Sequence, residues 1–595
     1  MKHPAWNPYL PLWEYVPDGE PHVFEGRVYV YGSHDRFDGD AYCLNDYVGW
    51  SAPVEDLSDW RYEGVLYRRR DDPRNADGSQ KLFAPDVARG PDGRYYLYYA
   101  LNQTSAVSVA VCDTPAGRYR YYGTVAYPDG TPLGARPGDE FQFDPGVLAE
   151  GEGAWLYTGF CPRQTPGRTG ARVVRLGADM RTVCSKPVTV VPGPLTAPGT
   201  PFEGHAFYEA SSIRKVGQRY YFIYSSELSH ELCYATADRP DGPFAYGGTL
   251  VSNGDLGLSP TPVAFTGNNH GSVEQINGRW YVFYHRATNG SSWCRQGCLE
   301  PITILPDGRI PQVEITTSGP NGGPLPARGE YPAAIACNLF LTDAAGGESR
   351  PPLPRITQQA PDTDADQGRD TSFLENLTDR AVAGYKYFSC HGVTRMAVKT
   401  RGLHQAGRLE VRLAPAAEPI GSISVFPGEE WHWQEASVSL PDGVHALYLR
   451  FDGQGAVSLA AIRFAADNAV QSAVQPKQEA HAPQGMRLLL PFPGFYVIPA
   501  ARPSPAYRQE CPAPAGSAPY SFRSRCRPQA AFLPARPSDG AAARRPYHAS
   551  PRRRLRPDTH CMRTKAPEYP TPAGSCRSNT GSRYRGPQSF GEADG

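Results

Sequence analysis

GRVYVYGSHD (26–35), GRYYLYYALN (93–102), GAWLYTGFCP (153–162), QRYYFIYSSE (218–227) and GRWYVFYHRA (278–287) are five versions of one pattern, a small polar turn followed by about six aromatic and branched apolar residues. Tyr, Val, Phe and Ile in short runs after Gly are strand chemistry. The segments start 67, 60, 65 and 60 residues apart, and a fixed period of that size marks a repeat architecture. A second repeat follows three of these strands: WSAPVEDLSDWRYEGVL (50–66), AVCDTPAGRYRYYGTV (110–125) and YATADRPDGPFAYGGTL (234–250) each read strand, Pro/Gly or Asp-rich turn, strand. About four short strands per period make one propeller blade. The spacing therefore predicts an all-β chain opening with a five-bladed β-propeller over residues 1–325. A β-sandwich with coincidentally similar strands is the alternative.

Beyond TTSGPNGGPLPARGEY (316–331), a Gly/Pro-rich boundary, the aromatic pattern changes. KYFSC, TRMAVKTRG, GRLEVRLA, SISVF, QEASVSL, HALYLRF and LAAIRFA are short alternating strands, predicting a jelly-roll β-sandwich over 331–466. This stretch resembles the carbohydrate-binding modules appended to many glycoside hydrolases. Trp431, Trp433, Tyr385 and Tyr387 could stack on sugar rings or pack in the sandwich core or domain interface. Residues 467–595 have no periodicity and hold 20 Pro, 17 Arg and 2 Lys against 8 acidic residues, a composition that predicts a disordered tail.

The 595 residues carry 60 basic and 60 acidic side chains, but the tail is +11 and residues 1–466 are therefore −11. An acidic folded part suits a neutral substrate and not a nucleic acid. No apolar run is long enough to span a membrane, and the N-terminus MKHPAWNPYLPLWEYVPDGEP has no apolar signal region, so a cytoplasmic location is expected. The 13 cysteines are scattered, with only Cys294 and Cys298 close together. Free thiols are expected over disulfides or zinc.

A propeller brings the loops before its inner strands to one axial cavity. Asp18 in EYVPDGEPHVF, Asp144 in FQFDPGVL and Glu209 in FYEASSIRK each stand about ten residues ahead of a repeated aromatic strand. Singly, each reads as a turn or cap carboxylate. Jointly, their equivalent placement in three blades points to a catalytic cluster.

DGEPHVFEGRVYVYGSHD, LFAPDVARGPDGRYYLYY, FDPGVL, FYEASSIRKVGQRYYFIYSS and NNHGSVEQINGRWYVFYHR, spread over residues 18–286 in this order, resemble glycoside hydrolase family 43. These are inverting five-bladed propellers that include β-xylosidases and α-L-arabinofuranosidases. The resemblance implies Asp18 as general base, Glu209 as general acid, and Asp144 as the acid that raises and orients Glu209. It places Phe83, Asp86 and Arg286 at the sugar. His270 becomes an axial histidine that contacts a central ion or its water. No cofactor is implied, apart from a structural calcium ion that many members carry on the axis, and the partner is an oligosaccharide. Read without the family, His270 is equally a buried core histidine, Asp86 a turn residue, and Arg286 a partner for a cavity acid.

Two departures stand out. Asp18 is followed by Gly19 where the family usually has Pro, and Glu20 lies close enough to compete for the base. Phe83 stands where the family usually has Trp. The residue types match the reaction: inversion needs a protonated carboxyl at the leaving oxygen and an ionised one roughly 6.5–9.5 Å away to activate water. The expectation is an inverting glycosidase acting on xylose- or arabinose-containing oligosaccharides. An endo-acting arabinan hydrolase and an inactive sugar-binding propeller are the alternatives.

Overall fold

The computed structural model describes residues 3–163, 165–342, 353–359, 370–402, 405 and 407–466. The tail expected to be disordered, 467–595, lies outside the described residues. The structure is all-β: its only helices among the described residues are three-residue 3-10 turns.

Five antiparallel sheets follow one another, each with its strands in chain order. The first runs from Glu20–Phe24 to Arg61–Tyr67, the second from Asp86–Arg89 to Arg120–Thr124, the third from Gly146–Glu150 to Val188–Pro192, and the fourth from Phe207–Val216 to Ala245–Ser252. The fifth has three strands: Val273–Ile276, Arg279–Ala287 and Arg295–Ile302. The N-terminal segment lies along its last strand, where Tyr9 N–H donates to Gly297 O at 3.1 Å and Leu299 N–H to Asn7 Oδ1 at 2.9 Å.

The five aromatic segments are the second strands of these sheets, each paired on both sides. Such strands read as continuous apolar runs because both faces are covered; all six residues of Tyr95–Ala100 are buried. The turn into the last of them is Asn277–Gly278, both with positive φ (47° and 77°). That is the hairpin geometry Asn-Gly favours.

Apolar cores sit between neighbouring sheets. Tyr31, Tyr67, Leu97 and Tyr99 pack between the first and second. Val109, Leu156 and Val174 pack between the second and third, and Tyr157, Phe207 and Phe222 between the third and fourth. Ile223, Val282 and Cys298 join the fourth to the fifth, and Val30, Trp50, Phe283 and Leu299 join the fifth to the first. The sheets thus form a closed cycle in which each interface buries its own core.

Their first strands touch in the order fifth, first, second, third, fourth. The ring closes through Ser212 Oγ, which donates to Ser272 Oγ at 2.7 Å, and the Arg214–Glu274 ion pair at 3.3 Å. Crowding at this centre explains Gly146: a Cβ there would sit 2.4 Å from Ser211 O.

Two further sheets follow. One orders Leu325–Pro326, Ala381–Cys390, Gly443–Asp452, Gly407–Arg412 and Gly421–Val425, with Asn338–Leu341 also on Ala381–Cys390. The other orders Arg355–Gln358, Ser372–Thr378, Ala456–Ala465, Arg395–Gly402 and Gly428–Ser437, with Gly329–Pro332 also on Ala456–Ala465. Strand pairing here begins at Leu325, inside the stretch read as a connector. Between the sheets lies one core, including Ile356, Leu374, Phe388, Leu449 and Phe464, which Leu12 also enters.

Tyr385 is in that core, fully buried, with its hydroxyl donating to Ala333 O at 3.1 Å. Tyr387 donates to Glu314 Oε1 at 2.8 Å. The Tyr385 ring is therefore not available to a sugar, whereas the Tyr387 ring is partly exposed. Trp431 packs edge-on against Phe373 at 5.4 Å beneath Arg401, and Trp433 lies under Arg463. All nine cysteines among the described residues are free thiols.

Candidate active site

Asp18 and Asp144 each stand just ahead of the first strand of a sheet, and Glu209 stands within one, where the register with Arg219–Ser226 breaks on either side of it. Asp18 (φ 56°), Asp144 (φ 43°) and Ala210 (φ 67°), the residue after Glu209, all have left-handed backbone. A non-glycine residue in that region costs of order 1–3 kcal/mol and persists only where the surroundings enforce it. The repetition in three sheets is a built feature of the site.

The acids converge. His270 Nδ1 lies 3.8 Å from Asp18 Oδ1 and 3.7 Å from Asp144 Oδ2. Asp144 Oδ2 accepts the Ala210 N–H at 3.1 Å, tying it to the residue beside Glu209, while Asp144 Oδ1 is buried without a partner.

Asp18 is the most strongly held. Arg295 Nη1 donates to Oδ1 at 2.8 Å and Ser33 Oγ to Oδ2 at 2.5 Å. The Asp18 N–H donates to His285 Nδ1 at 3.2 Å, and His285 Nε2–H donates to Asn268 O at 2.9 Å, which fixes the tautomer. Arg295 is itself clamped by Asp35, through Nε to Oδ2 at 2.8 Å and Nη2 to Oδ1 at 3.0 Å.

These contacts separate the proton affinities. Burial works to raise the Asp18 pKa, but the Arg295 charge, the largest opposing influence, acts together with the His285 hydrogen bond and the nearby His285 and His270 rings to hold the carboxyl well below its usual range. Burial and the Asp18 charge push Glu209 up to about 7, against the pull of Arg295. Asp144 is raised well above the ordinary value by burial, then by Glu209 and Asp18. Like-charge repulsion between Asp144 and Glu209 favours the protonated form of the pair, and the Asp18 charge adds to it. One carboxylate is held ionised and another has its pKa raised to about neutral pH, the division acid–base catalysis requires.

Aromatic rings rim the acids. Phe83 lies 5.2 Å from Phe143, Phe143 5.1 Å from Phe160, and Phe160 5.4 Å from Tyr208, the neighbour of Glu209. The Phe83 carbonyl accepts the Tyr47 hydroxyl. On the Arg295 side, Tyr42 lies under the guanidinium at 4.8 Å and meets Trp293 edge-on at 5.5 Å. Half-exposed rings around a few convergent polar groups suit a sugar.

Three sequence expectations change. Asp86 does not line a sugar subsite. It is 0% exposed. His22 Nε2 lies 2.7 Å from its Oδ1, which also accepts its neighbour's Val87 N–H, and its Oδ2 accepts the Val147 N–H at 2.7 Å. It begins an inner strand level with Glu20, below the acids, and ties three sheets together. Arg286 points away from the acids. Side chains alternate along a strand, so with His285 facing Asp18, Arg286 faces the opposite side, donating to Cys298 Sγ, Ala336 O and Cys337 O. The arginine at the acids is Arg295, which lies opposite Ala287 in the register and shares the His285 face. Alternation reaches it only once the register across the hairpin, Ala287 opposite Arg295, is known.

His270 is the third. Burial lowers its pKa to about 4, so it is a neutral imidazole between two carboxyls. Two three-donor sets occur among the described residues: His205, Glu231 and Cys233 in and before the fourth sheet, and Glu20, His22 and Asp86 next to the inner ring, each offering ligand atoms within 4.8 Å of one another. Glu20 is 0% exposed, Oε2 accepts from Arg214 at 3.0 Å and Ser212 at 3.2 Å, and Oε1 has no partner. Burial and Asp86 push its pKa up to about 8. Two buried carboxylates with an orphaned oxygen fit a hard cation such as calcium.

A cycle of antiparallel sheets around a ring of inner strands, carrying one ionised and one protonated carboxyl inside an aromatic rim, is the equipment of a glycosidase. Comparison with known proteins agrees. The family model for glycosyl hydrolases family 43 matches residues 24–310. A xylosidase/arabinosidase of Thermoclostridium stercorarium is 54% identical over 478 residues, covering 78% of this chain and all of the relative. A xylosidase/arabinosidase of Bacteroides ovatus is 30% identical over 343 residues, 51% of this chain and 97% of the relative. Among solved structures, a family 43 arabinoxylan arabinofuranohydrolase from Bacillus subtilis in complex with cellotetraose aligns over 77% of this chain and 97% of its own, at 21% identity and a TM-score of 0.42. The chain belongs to glycosyl hydrolases family 43.

Proposed function

We propose that the chain is an inverting glycosidase that releases xylose or arabinose from short oligosaccharides. Asp18 is the general base, Glu209 the general acid, and Asp144 the residue that orients Glu209. The observation that carries this is the division of charge: Asp18 is held ionised by Arg295 while Glu209 is pushed up to about 7. The ionised Asp18 takes a proton from water as that water attacks the anomeric carbon. Glu209 delivers its proton to the departing oxygen. Asp144 accepts the Ala210 N–H and so fixes the backbone that carries Glu209. Glu20 does not compete for the base, because burial and Asp86 favour its protonated form and Arg214 turns it inward.

The five sheets are read as the blades of a five-bladed propeller over about 1–325, supported by their cyclic cores and the contacts that close the inner ring. The two further sheets form a second domain from about Leu325 to 466. A calcium ion would be held by Glu20 and Asp86 with His22 beside them. Bound there, it would supply positive charge beneath the acids. Names of relatives that join xylosidase and arabinosidase support the substrate class.

The test is Glu209→Gln. Hydrolysis of unactivated xylosides and arabinofuranosides should fall by about 10³-fold or more, while aryl glycosides with acidic leaving groups, which need less proton assistance, lose far less. Equal losses on both substrates would remove Glu209 from the acid role.

A further inference from the structure

The hairpin that joins Arg279–Ala287 to Arg295–Ile302 faces two ways. Inward, Arg295 holds Asp18 and Asp35, and Trp293 meets Tyr42 at the rim. Outward, the same hairpin is bound to the two-sheet part. The Ile356 N–H donates to Thr288 O at 2.9 Å, and Asn289 Nδ2 donates back to Ile356 O at 2.9 Å. Ile356 sits in Arg355–Gln358, the edge strand of its sheet. An edge strand carries unpaired N–H and C=O groups on its open side, and here the hairpin satisfies both groups of Ile356.

The clamp is short and stiffly linked to Arg295. Thr288 N–H donates to Cys294 O at 3.2 Å across the hairpin, next to the Ala287–Arg295 pair. Thr288 Oγ1 donates to Gln296 Oε1 at 2.6 Å, and Gln296 Nε2 donates to Leu12 O at 2.8 Å. That carbonyl also accepts Ser372 Oγ at 3.2 Å, from the strand beside the edge strand. Both flanks of Arg295 are therefore tied to the two-sheet part.

We infer that the two-sheet part is a working component of the active site: its edge strand, through Ile356, fixes Thr288 and Asn289 and thereby positions Arg295 against the base Asp18. Asn289 and Thr288 are positioning residues, bonded to Ile356, Gln296 and Cys294 and not to Asp18. The inference rests on the reading of Asp18 as the base.

The experiment is a double-mutant cycle in the full chain. Asn289→Ala removes the donor to Ile356 O, and Asn289→Asp puts an acceptor in its place with little change of shape. Each is combined with Arg295→Met, made together with Asp35→Asn so that no buried carboxylate loses its partner, and kcat, KM and the thermal midpoint are measured on one aryl glycoside. The expected result is a fall in kcat of about tenfold for Asn289→Ala, the scale of one lost side-chain hydrogen bond, with KM changed less than about twofold. Asn289→Asp should lose at least as much. In the Arg295→Met background either change should lower kcat no further, because residues acting through one group are not additive. A chain that is only destabilised would show a lower midpoint with the same kcat per folded molecule. Unchanged kcat in both Asn289 variants, or equal losses with and without Arg295, would overturn the clamp. If Arg295→Met itself leaves kcat/KM intact, the assignment of Asp18 as the Arg295-held base fails instead.

Discussion

Removing the charge that holds the base gives a measurable and directional outcome. Arg295 Nη1 is 2.8 Å from Asp18 Oδ1, with both groups buried. Two unit charges about 4 Å apart interact by roughly 4 kcal/mol at an effective dielectric near 20, which is about three pKa units at 1.36 kcal/mol each. Arg295→Met should be made together with Asp35→Asn, because Asp35 is buried and its bidentate partner would be gone. Without the guanidinium the ionised form of Asp18 is less favoured, so its pKa rises and the acid limb of kcat/KM moves to higher pH by up to about three units. Arg295 also lowers the pKa of Glu209 and Asp144, so the alkaline limb should move upward too, by less. The assay is kcat/KM for an aryl xyloside or arabinofuranoside from pH 4 to 9 in one constant-ionic-strength buffer series. Both limbs moving up supports the electrostatic account. Limbs that stay fixed while the rate falls, with no acid limb entering the range and the alkaline limb unmoved, would refute the reasoning and show that Arg295 acts on substrate alone.

Asp18→Asn should lower kcat by about 10³-fold or more, as expected for loss of the water-activating base, whereas Glu20→Gln should leave most activity; the reverse ranking, read from initial rates, would move the base. For the unchanged enzyme, kcat/KM should decline as pH rises through about 7, where Glu209 loses the proton it must donate, while the acid side stays flat because Asp18 remains ionised. Calcium should raise the thermal midpoint of the chelator-treated protein, and Glu20→Gln should abolish that rise; a midpoint indifferent to calcium would leave the axial set without a cation. Purified protein should hydrolyse p-nitrophenyl β-xyloside or α-L-arabinofuranoside more readily than linear arabinan, measured by released nitrophenol and reducing sugar.

The sheets were legible because their second strands are buried on both faces, and burial on both faces writes an uninterrupted aromatic run such as YYLYYA at 95–100. The acids were legible because each repeats one position relative to its sheet. What stayed hidden depends on facing. Asp86 lies ahead of an aromatic strand just as the acids do, yet two residues along an inner strand move a side chain down the axis from the sugar level to the buried layer of Glu20 and Ser212. Arg286 adjoins His285 in sequence, and strand alternation sends it to the opposite face. Arg295 is reached only by crossing a hairpin whose register the sequence does not state. LPARGEYP at 325–332 has the composition of a connector, but it pairs with strands more than fifty residues away, and no local pattern records that. Tyr385 has the residue type of a sugar platform and the environment of a core residue, which composition cannot distinguish.

In the proposed pairing of an ionised Asp18 with a proton-donating Glu209, hydrolysis is a single displacement. The most direct measurement is the ¹H NMR spectrum of the sugar first released from a substrate of known anomeric configuration, recorded before mutarotation. The account predicts that the opposite anomer appears first; the starting configuration appearing first would mean a covalent intermediate and contradict the pairing of Asp18 with Glu209.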